Sequence, residues 1–400
     1  MSVRIVFWVV VLLLAYLYIG YPALIGVWAL LRRGRLRTQR RAPTVSVLVV
    51  AHNEAAQIDA RIENLLSLDY PRDQLEIIVA SDGSSDDTVE RSRAHVEAGI
   101  RVVTFERRRG KPAVLNDLIP NARGEIVVLA DARQRFEAGA LRALVEPFSD
   151  PRVGAVSGEL ILAEPLGGSG GTQGMGLYWR YEKFIRRSES RVDSAVGATG
   201  AIYAIRQALF DPIPADTILD DVLIPLRIIR RGYRVLFEPQ ARAYDHVATS
   251  AREELMRKVR TLAGNFQLFA RERWLLSPFQ NRLWLQTLSH KGLRLAAPPL
   301  QAIVLATNVL LAAEPMYRGL LAAQMVFYAA ALGGYAVQHA KRRSPLLTLP
   351  YTICLLSWAT MVGFYRFVTR QQHVTWEKPV SSAHEDHSDT NLVASRLKHS

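Results

Sequence analysis

The sequence lacks several features that define common protein classes. It holds one cysteine, Cys354, in an apolar stretch, so no disulfide can form within the chain. No strand-like segment is followed by GxGxxG or GxxxxGK[ST], which argues against a Rossmann dinucleotide site and a P-loop. The glycine-rich stretch Gly167–Gly176 fits neither pattern, and we interpret it as a flexible loop or a lid.

Charge of one sign is in excess, and its distribution is informative. The formal net charge is +13, yet no recognised nucleic-acid-binding motif accompanies it, so we expect no nucleic-acid partner. Much of the excess flanks apolar stretches, as it does in the cytoplasmic loops of membrane proteins. The flanking residues are Arg32, Arg33, Arg35, Arg37, Arg40, Arg41, Lys341, Arg342 and Arg343.

Long apolar stretches lie near both ends of the chain. Val3–Leu31 contains one charged residue and exceeds the roughly 20 residues that cross a bilayer. Its length and the basic residues that follow it favour a retained span over the alternative, a cleaved signal peptide. Leu295–Ala313, Gly319–Val337 and Leu346–Phe364 contain no acidic or basic residue. We predict a multi-pass protein of the inner (plasma) membrane, with one N-terminal and about three C-terminal transmembrane helices and a cytoplasmic domain between them.

Composition divides the chain into five segments. They are an N-terminal span with its basic flank (1–41), a polar domain (42–270), an amphipathic segment (271–293), C-terminal spans (294–368) and a polar tail (369–400). The amphipathic segment combines tryptophan with basic residues, which indicates a helix in the membrane interface or a linker packed on the polar domain. Four spans place the tail outside the cell, whereas its basic residues favour the inside, so the topology of the last span stays open.

The polar domain alternates β-branched apolar segments with helical ones. Predicted strands end at Ala51, Ala80, Phe105 and Ala130, and a helical segment follows each of them. This alternation predicts an α/β fold with a mostly parallel central sheet, which binds ligands beyond the carboxyl ends of its strands. The polar residues that follow these ends are His52, Asn53, Glu54, Ser81, Asp82 and Asp131.

A nucleotide can bind at this edge without a glycine-rich cradle. Asp82 could accept hydrogen bonds from a base or ribose, Lys111 could neutralise a diphosphate, and Asp131 could hold a divalent cation that bridges the phosphates. An aspartate after a strand is more often a cap or turn residue, so each assignment is weak alone. Their shared position at one edge of the sheet predicts a site.

An ordered series of segments resembles the family 2 glycosyltransferases. VSVLVVAHNEAAQI, IIVASDGSSDDT, RGKPAVLN and IVVLADA look like the donor-binding half of that family. GATGAIYAIR (197–206) is similar to the acceptor-side loop, and TILDDVLIPLRIIRRGYRVLFEP (217–239) to the segment that carries the catalytic base. The likeness covers residues 44 to 265, and the flanking spans resemble those of cellulose, hyaluronan and poly-N-acetylglucosamine synthases. It implies the GT-A fold, a single nucleotide-binding α/β domain.

The resemblance implies donor-side roles for the matching residues. Asp82 would contact uridine or another base, with Asn53 and Glu54 lining the same pocket. Lys111 would lie near the diphosphate. Asp131 would be the ligand of a divalent cation, Mg²⁺ or Mn²⁺, that stabilises the departing diphosphate.

The resemblance also implies acceptor-side roles. Asp221 would be the general base that deprotonates an acceptor hydroxyl, with Asp220 beside it, and in-line attack would invert the anomeric carbon. The alternative for these carboxylates is that they cap the helix that follows, where they favour its dipole. Gly197, Gly200, Arg257 and Arg260 would belong to the acceptor side, although glycines there can simply shape a turn.

Two departures from the family pattern matter. The metal motif is usually Asp-x-Asp, and Arg133 stands here at the second aspartate; it cannot bind a metal but can contact a phosphate. Processive members carry QxxRW where this chain has Arg257 to Thr261, so Arg260 matches while the glutamine and tryptophan are missing. His246 is either a metal ligand, a phosphate contact or a structural surface histidine.

We therefore predict an inverting hexosyl- or N-acetylhexosaminyl-transferase in surface polysaccharide or glycolipid synthesis. Its partners would be a nucleotide-sugar donor, foremost a UDP-sugar, a glycan or lipid-linked acceptor, and membrane lipids. Two alternatives stay open: a lipid glycosyltransferase that adds one sugar, and an inactive sugar-nucleotide sensor or scaffold. A transporter is disfavoured because the predicted spans lack the ionisable residues that mark transport pathways.

Overall fold

The computed structural model describes residues 2–32, 42–163, 173–246, 251–337 and 344–375. Several predicted features lie outside these residues: most of the basic flank (33–41), the start of the glycine-rich stretch (167–172), the basic cluster 341–343, and the tail beyond 375.

Eight strands form one sheet in the described part of the chain. They are β1 Val45–Ala51, β2 Leu75–Asp82, β3 Ile100–Phe105, β4 Ile126–Asp131, β5 Arg135–Phe136, β6 Val153–Ala163, β7 Ile202–Arg206 and β8 Arg234–His246. Their order across the sheet is β3-β2-β1-β4-β7-β6-β8-β5. Four of the seven strand pairings are parallel, which confirms the predicted α/β fold with a mostly parallel sheet.

Helices cover the sheet and extend beyond it. They are α1 Val3–Ala15, α2 Tyr21–Leu31, α3 Ala55–Leu66, α4 Thr88–Arg93, α5 Lys111–Leu118, α6 Ala140–Val145, α7 Gln173–Val192, α8 Asp220–Arg230, α9 Ala251–Arg271, α10 Trp284–Thr287, α11 Leu293–Leu310, α12 Pro315–Ala336 and α13 Pro345–Val368. Single π-helical turns join α1 to α2 and α10 to α11, so each pair forms one continuous helix.

The sheet is buried on both faces, which explains why its strands are apolar almost throughout. On one face Leu48 of β1 joins a core with Leu115 of α5 and Leu226 of α8. On the other face Val47 joins a second core that includes Ile62 of α3. Within the sheet β1 pairs in parallel with β2 on one side and with β4 on the other, so the carboxyl ends of the three strands meet at one edge.

Within the described residues, four helices are long and apolar enough to cross a membrane. They are Val3–Leu31, Trp284–Leu310, Pro315–Ala336 and Pro345–Val368. They overlap the four predicted apolar stretches, but the second begins before Leu295 and ends at Leu310, and it therefore includes Lys291 and Arg294. The sequence placed that start too late because the charged residues interrupt the apolar pattern while the helix continues through them.

The amphipathic segment ahead of this helix packs on the polar domain. Trp274 and Leu283 are buried in the same core as α5 and α8, whereas Phe279 is 96% exposed. The position of residues 271–293 relative to a membrane interface stays a prediction. Further on, α13 packs against α9, where Phe266 contacts the rings of Phe364 and Phe367. The last span thus contacts a helix that also borders the site.

Candidate active site

A cavity of about 660 Å³ opens at the carboxyl ends of β1, β2 and β4. Its volume falls within the ~300–1,000 Å³ range of ligand pockets. Predicted site residues on its wall are Asn53, Glu54, Asp82, Lys111, Asp131, Arg133, Gly200, Asp220, Asp221, Arg257 and Arg260. Gly197 is outside this lining, and its φ of +98° shapes a turn packed against Val222.

The turns after β1 and β2 are bonded to each other. Asn53 has a φ of 54°, a left-handed conformation that asparagine tolerates, and its Oδ1 accepts a 2.8 Å hydrogen bond from the Ser85 N–H. The Asn53 N–H donates to Ser84 Oγ at 3.1 Å. His52 Nδ1 lies 2.8 Å from the carbonyl oxygen of Asp82. These contacts give this wall of the cavity a fixed shape without a ligand.

Asp82 orders the loop that carries Lys111. It is 3% exposed, and its two carboxylate oxygens accept backbone N–H bonds from Arg109 at 2.7 Å and from Gly110 at 2.8 Å. Gly110 has a φ of +88°, so the chain turns there into α5 and presents Lys111 to the cavity. A carboxylate has about four lone-pair sites, and these two bonds leave sites on Asp82 for a hydrogen bond from a base. That contact stays a prediction.

Lys111 places a fixed positive charge between Asp131 and Asp220. Its Nζ lies 2.7 Å from Asp131 Oδ1 and 3.8 Å from Asp220 Oδ2. Burial lowers the pKa of Lys111, but the charges of Asp131 and Asp220 outweigh it and raise that pKa above its ordinary value. The ammonium therefore stays charged at physiological pH.

Asp220 and Asp221 begin α8 but do not cap it. The Tyr203 hydroxyl donates to Asp220 Oδ2 at 3.3 Å, and the Gly200 N–H donates to Asp221 Oδ2 at 2.9 Å. Burial and then the Asp220 charge raise the pKa of Asp221 to about 6, against the opposing charge of Lys111. A carboxylate with this pKa is a stronger base than an exposed aspartate and is still ionised at neutral pH.

Comparison with known proteins identifies the domain. Residues 46–212 match the family model described as Glycosyl transferase family 2. The chain carries a family 2 glycosyl transferase domain. This match ends before α8, so it includes the donor edge of the cavity but not Asp220 or Asp221.

Curated relatives agree over the family 2 domain. A poly-β-1,6-N-acetyl-D-glucosamine synthase of Staphylococcus epidermidis is 26% identical over 238 residues, which cover 58% of this chain and 56% of that one. The synthase of the same description from Staphylococcus aureus (strain COL) is 28% identical over 234 residues, covering 57% and 56%. The chain thus spans about half the length of the curated relatives it matches.

A solved structure shares the architecture. A mannosyltransferase from Pyrobaculum calidifontis, in complex with GDP-Man and Mn²⁺, aligns with a TM-score of 0.69 and 23% identity. The alignment covers 92% of this chain and 99% of that one, so it includes helices beyond the sheet. The family 2 domain therefore has the GT-A fold that the sequence predicted.

Helix α9 and the segment after α13 close the far side of the cavity. Arg257 forms an ion pair with Glu253 at 2.7 Å, and Arg260 donates to the Val374 carbonyl oxygen at 3.2 Å. Val374 and Thr375 themselves line the cavity. Thr261 stands in the lining where the family signature has tryptophan, and the described lining contains no Phe, Tyr or Trp.

The basic residues of the cavity that sequence reasoning missed include Arg186 and Lys291. Arg186 of α7 lines it and donates to Thr199 Oγ1 at 2.6 Å. Lys291, at the start of the second membrane helix, lines it as well. Neither follows a strand or matches a quoted motif. For Lys291 the available signal was a lysine at the beginning of an apolar span. We assigned that lysine to the amphipathic segment instead.

The described residues do not fit the divalent cation that the resemblance implies. No group of three or more His, Cys, Asp or Glu side chains within them can hold a metal ion. Asp131 is already bound to Lys111, and Arg133 replaces the second carboxylate of the motif. The side chain of His246 lies outside the described residues. A motif that keeps one carboxylate, already paired with a lysine, is a poor ligand set for Mg²⁺ or Mn²⁺.

Proposed function

We propose that this protein is an inverting, multi-pass membrane glycosyltransferase. It moves a hexosyl or N-acetylhexosaminyl group from a nucleotide-sugar donor, foremost a UDP-sugar, to a glycan or lipid-linked acceptor. The observation that carries the proposal is Asp221, whose pKa is raised to about 6 in the same cavity as the fixed cation Lys111. A base and a cation facing one cavity suit a reaction that removes a proton and releases an anion.

The chemical step uses the two sides of the cavity in turn. Asp221 accepts the proton of an acceptor hydroxyl as its oxygen attacks the anomeric carbon of the donor sugar. The bond from that carbon to the diphosphate oxygen breaks, and its electron pair leaves with the nucleoside diphosphate. Lys111 supplies positive charge to that departing anion. Attack from the face opposite the diphosphate inverts the anomeric configuration.

A cytoplasmic position of the polar domain would agree with this role. Nucleotide sugars are cytoplasmic, and the arginines after the first span in the sequence favour a cytoplasmic domain. The curated relatives are named as polysaccharide synthases, which supports surface polysaccharide or glycolipid synthesis as the setting.

A short product is the second candidate, and a specific observation favours it. Aromatic rings offer a growing glycan a large apolar surface on which its sugar rings can stack, and the described cavity lining contains none. Thr261 is exposed at the position of the family tryptophan. A transferase that adds one or a few sugars to a lipid-linked acceptor needs no such platform. Product length, read by mass spectrometry, separates the two candidates.

The decisive experiment measures nucleoside diphosphate release from a panel of sugar nucleotides. Purified full-length protein in lipid is supplied with lipid extract as acceptor. Asp221→Asn is expected to slow turnover by about 10²–10⁴-fold while donor binding persists, because only the proton acceptor is lost. Asp69→Asn, a surface substitution outside the cavity, is the matched control. Binding without turnover by the wild-type protein for every donor would favour the sensor alternative.

A further inference from the structure

Arg133 is an unusual group on the cavity wall. It occupies the second aspartate position of the metal motif, is half-buried, and makes no hydrogen bond or ion pair to another described residue. The other four arginines of the lining each have a contact: Arg108, Arg186, Arg257 and Arg260. A guanidinium that faces a cavity without a partner has its hydrogen-bond donors available for an anionic ligand.

The chemistry of this side chain selects phosphate. The planar guanidinium presents paired N–H donors that match two oxygens of a phosphate, and such charge-assisted bonds are about twice as strong as neutral ones. Because Arg133 comes two residues after Asp131, at the end of β4, it stands on the donor edge of the cavity. Lys111 provides the second fixed cation on that edge.

A divalent ion at the altered motif would compete with a positive side chain. The one carboxylate that the motif keeps, Asp131, is already paired with the Lys111 ammonium at 2.7 Å. The neighbouring guanidinium adds a second positive charge, and repulsion between like charges is strong in a partly buried site. The same two cations supply the charge that a metal would otherwise bring to a diphosphate.

We propose that Arg133, together with Lys111, binds and stabilises the donor diphosphate in place of a divalent cation. This inference rests on the proposed function, since it assumes a nucleoside diphosphate donor. As the bond between the anomeric carbon and the phosphate oxygen breaks, its electron pair stays on that oxygen. The Arg133 guanidinium donates hydrogen bonds to the resulting anion, and no proton leaves it because arginine stays protonated.

The test compares nucleotide binding with and without metal. Full-length protein in lipid nanodiscs is treated with EDTA, and UDP and GDP are each titrated by calorimetry in EDTA and in Mn²⁺. We expect the wild-type Kd of the nucleotide that binds to change by less than about threefold between the two conditions, and sugar-nucleotide turnover to persist in EDTA.

Two substitutions at one position sharpen the test. Arg133→Asp rebuilds the Asp-x-Asp pattern, so binding in EDTA should weaken by about 10- to 100-fold and recover in Mn²⁺. Arg133→Gln removes the charge without adding a ligand, so its binding should weaken without recovery. Arg135→Asp makes the same charge change on an exposed residue outside the cavity and should behave as wild type. Thermal unfolding confirms that each variant is folded.

The outcomes separate this inference from the function on which it rests. Nucleotide binding by the wild type that requires Mn²⁺, or tightens more than about tenfold in it, overturns the role of Arg133 and leaves the transferase proposal standing. Unaltered binding by Arg133→Gln in EDTA has the same consequence. Failure of the wild type to bind either nucleotide in any condition, with no turnover of any donor, overturns both proposals.

Discussion

Two regions of the molecule contain paired acidic and basic side chains, one at the donor edge of the cavity and one where α7 meets α2 and the helix Trp284–Leu310. We call the second region the membrane junction; it consists of Tyr21, Glu182, Glu189, His290 and Arg294. The two regions differ in how far their charged groups are exposed. At the donor edge the Asp131 side chain is 43% exposed, whereas at the junction the Glu189 side chain is 0% exposed. The first arrangement faces a cavity and the second is closed.

Each side chain of the junction already has a partner within it. The Tyr21 hydroxyl donates to Glu189 Oε1 at 2.5 Å, and His290 bridges Glu189 at 2.9 Å and Glu182 at 3.1 Å. Arg294 pairs with Glu182; burial raises the pKa of Glu182, but Arg294 and His290 together hold it well below its ordinary value. Exposed pairs can exchange a partner for substrate, whereas closed pairs hold helices together.

The largest effect that separates the two regions is expected at Glu189. Glu189→Ala removes the acceptor of the Tyr21 hydroxyl and one of the two carboxylates that contact His290, and breaking a buried pair in this way costs about 3–5 kcal/mol of unfolding free energy. Thermal unfolding of the protein in lipid measures the loss. Glu63→Ala, on the exposed face of α3, is the control. Equal melting temperatures for the two variants would contradict a structural role for the junction.

The same contrast explains what the sequence could predict of the fold. Val45–Ala51 and the helix after it were predictable because β-branched residues and helical spacing are local signals. The donor edge was predictable because the carboxyl ends of parallel strands meet. The insertion of β7 between β4 and β6 was not, because antiparallel pairing across the chain depends on packing that no local pattern encodes.

The junction lay beyond sequence reasoning for a related reason. Its partners are separated by 168 residues for Tyr21 and Glu189 and by 101 for Glu189 and His290. Each residue alone looks like an ordinary polar position on a helix. Lys291 escaped notice in the same way, because its place in the cavity depends on how the second membrane helix packs.

The next effect in size tests the donor edge itself. Lys111→Met removes the ammonium between Asp131 and Asp220, and we expect nucleoside diphosphate binding to weaken by about 10- to 100-fold because a charge-assisted contact is lost. Lys111→Met should lower the free energy of unfolding by less than Glu189→Ala does, because the exposed Asp131 carboxylate can bind water in place of the lysine. Calorimetric binding and thermal unfolding of one preparation give both numbers. If Lys111→Met lowers the free energy of unfolding by more than it lowers the free energy of nucleotide binding, the donor edge is as structural as the junction.

The smallest effect is a displacement of the pH profile by Asp220→Asn. The Asp220 charge raises the pKa of Asp221, so removing that charge lowers it and keeps the base ionised in more acidic solution. The asparagine Oδ1 can still accept the bond from Tyr203, which preserves the local structure.

In the wild type, the rate of donor turnover at saturating substrate should fall as pH drops through about 6, because Asp221 is then protonated. In Asp220→Asn the acidic limb should move to lower pH, with a modestly lower plateau because a base of lower pKa accepts protons less readily. A purely structural role for Asp220 would lower the plateau without moving the limb. An acidic limb at the same pH in both proteins would therefore show that the Asp220 charge does not act on the base.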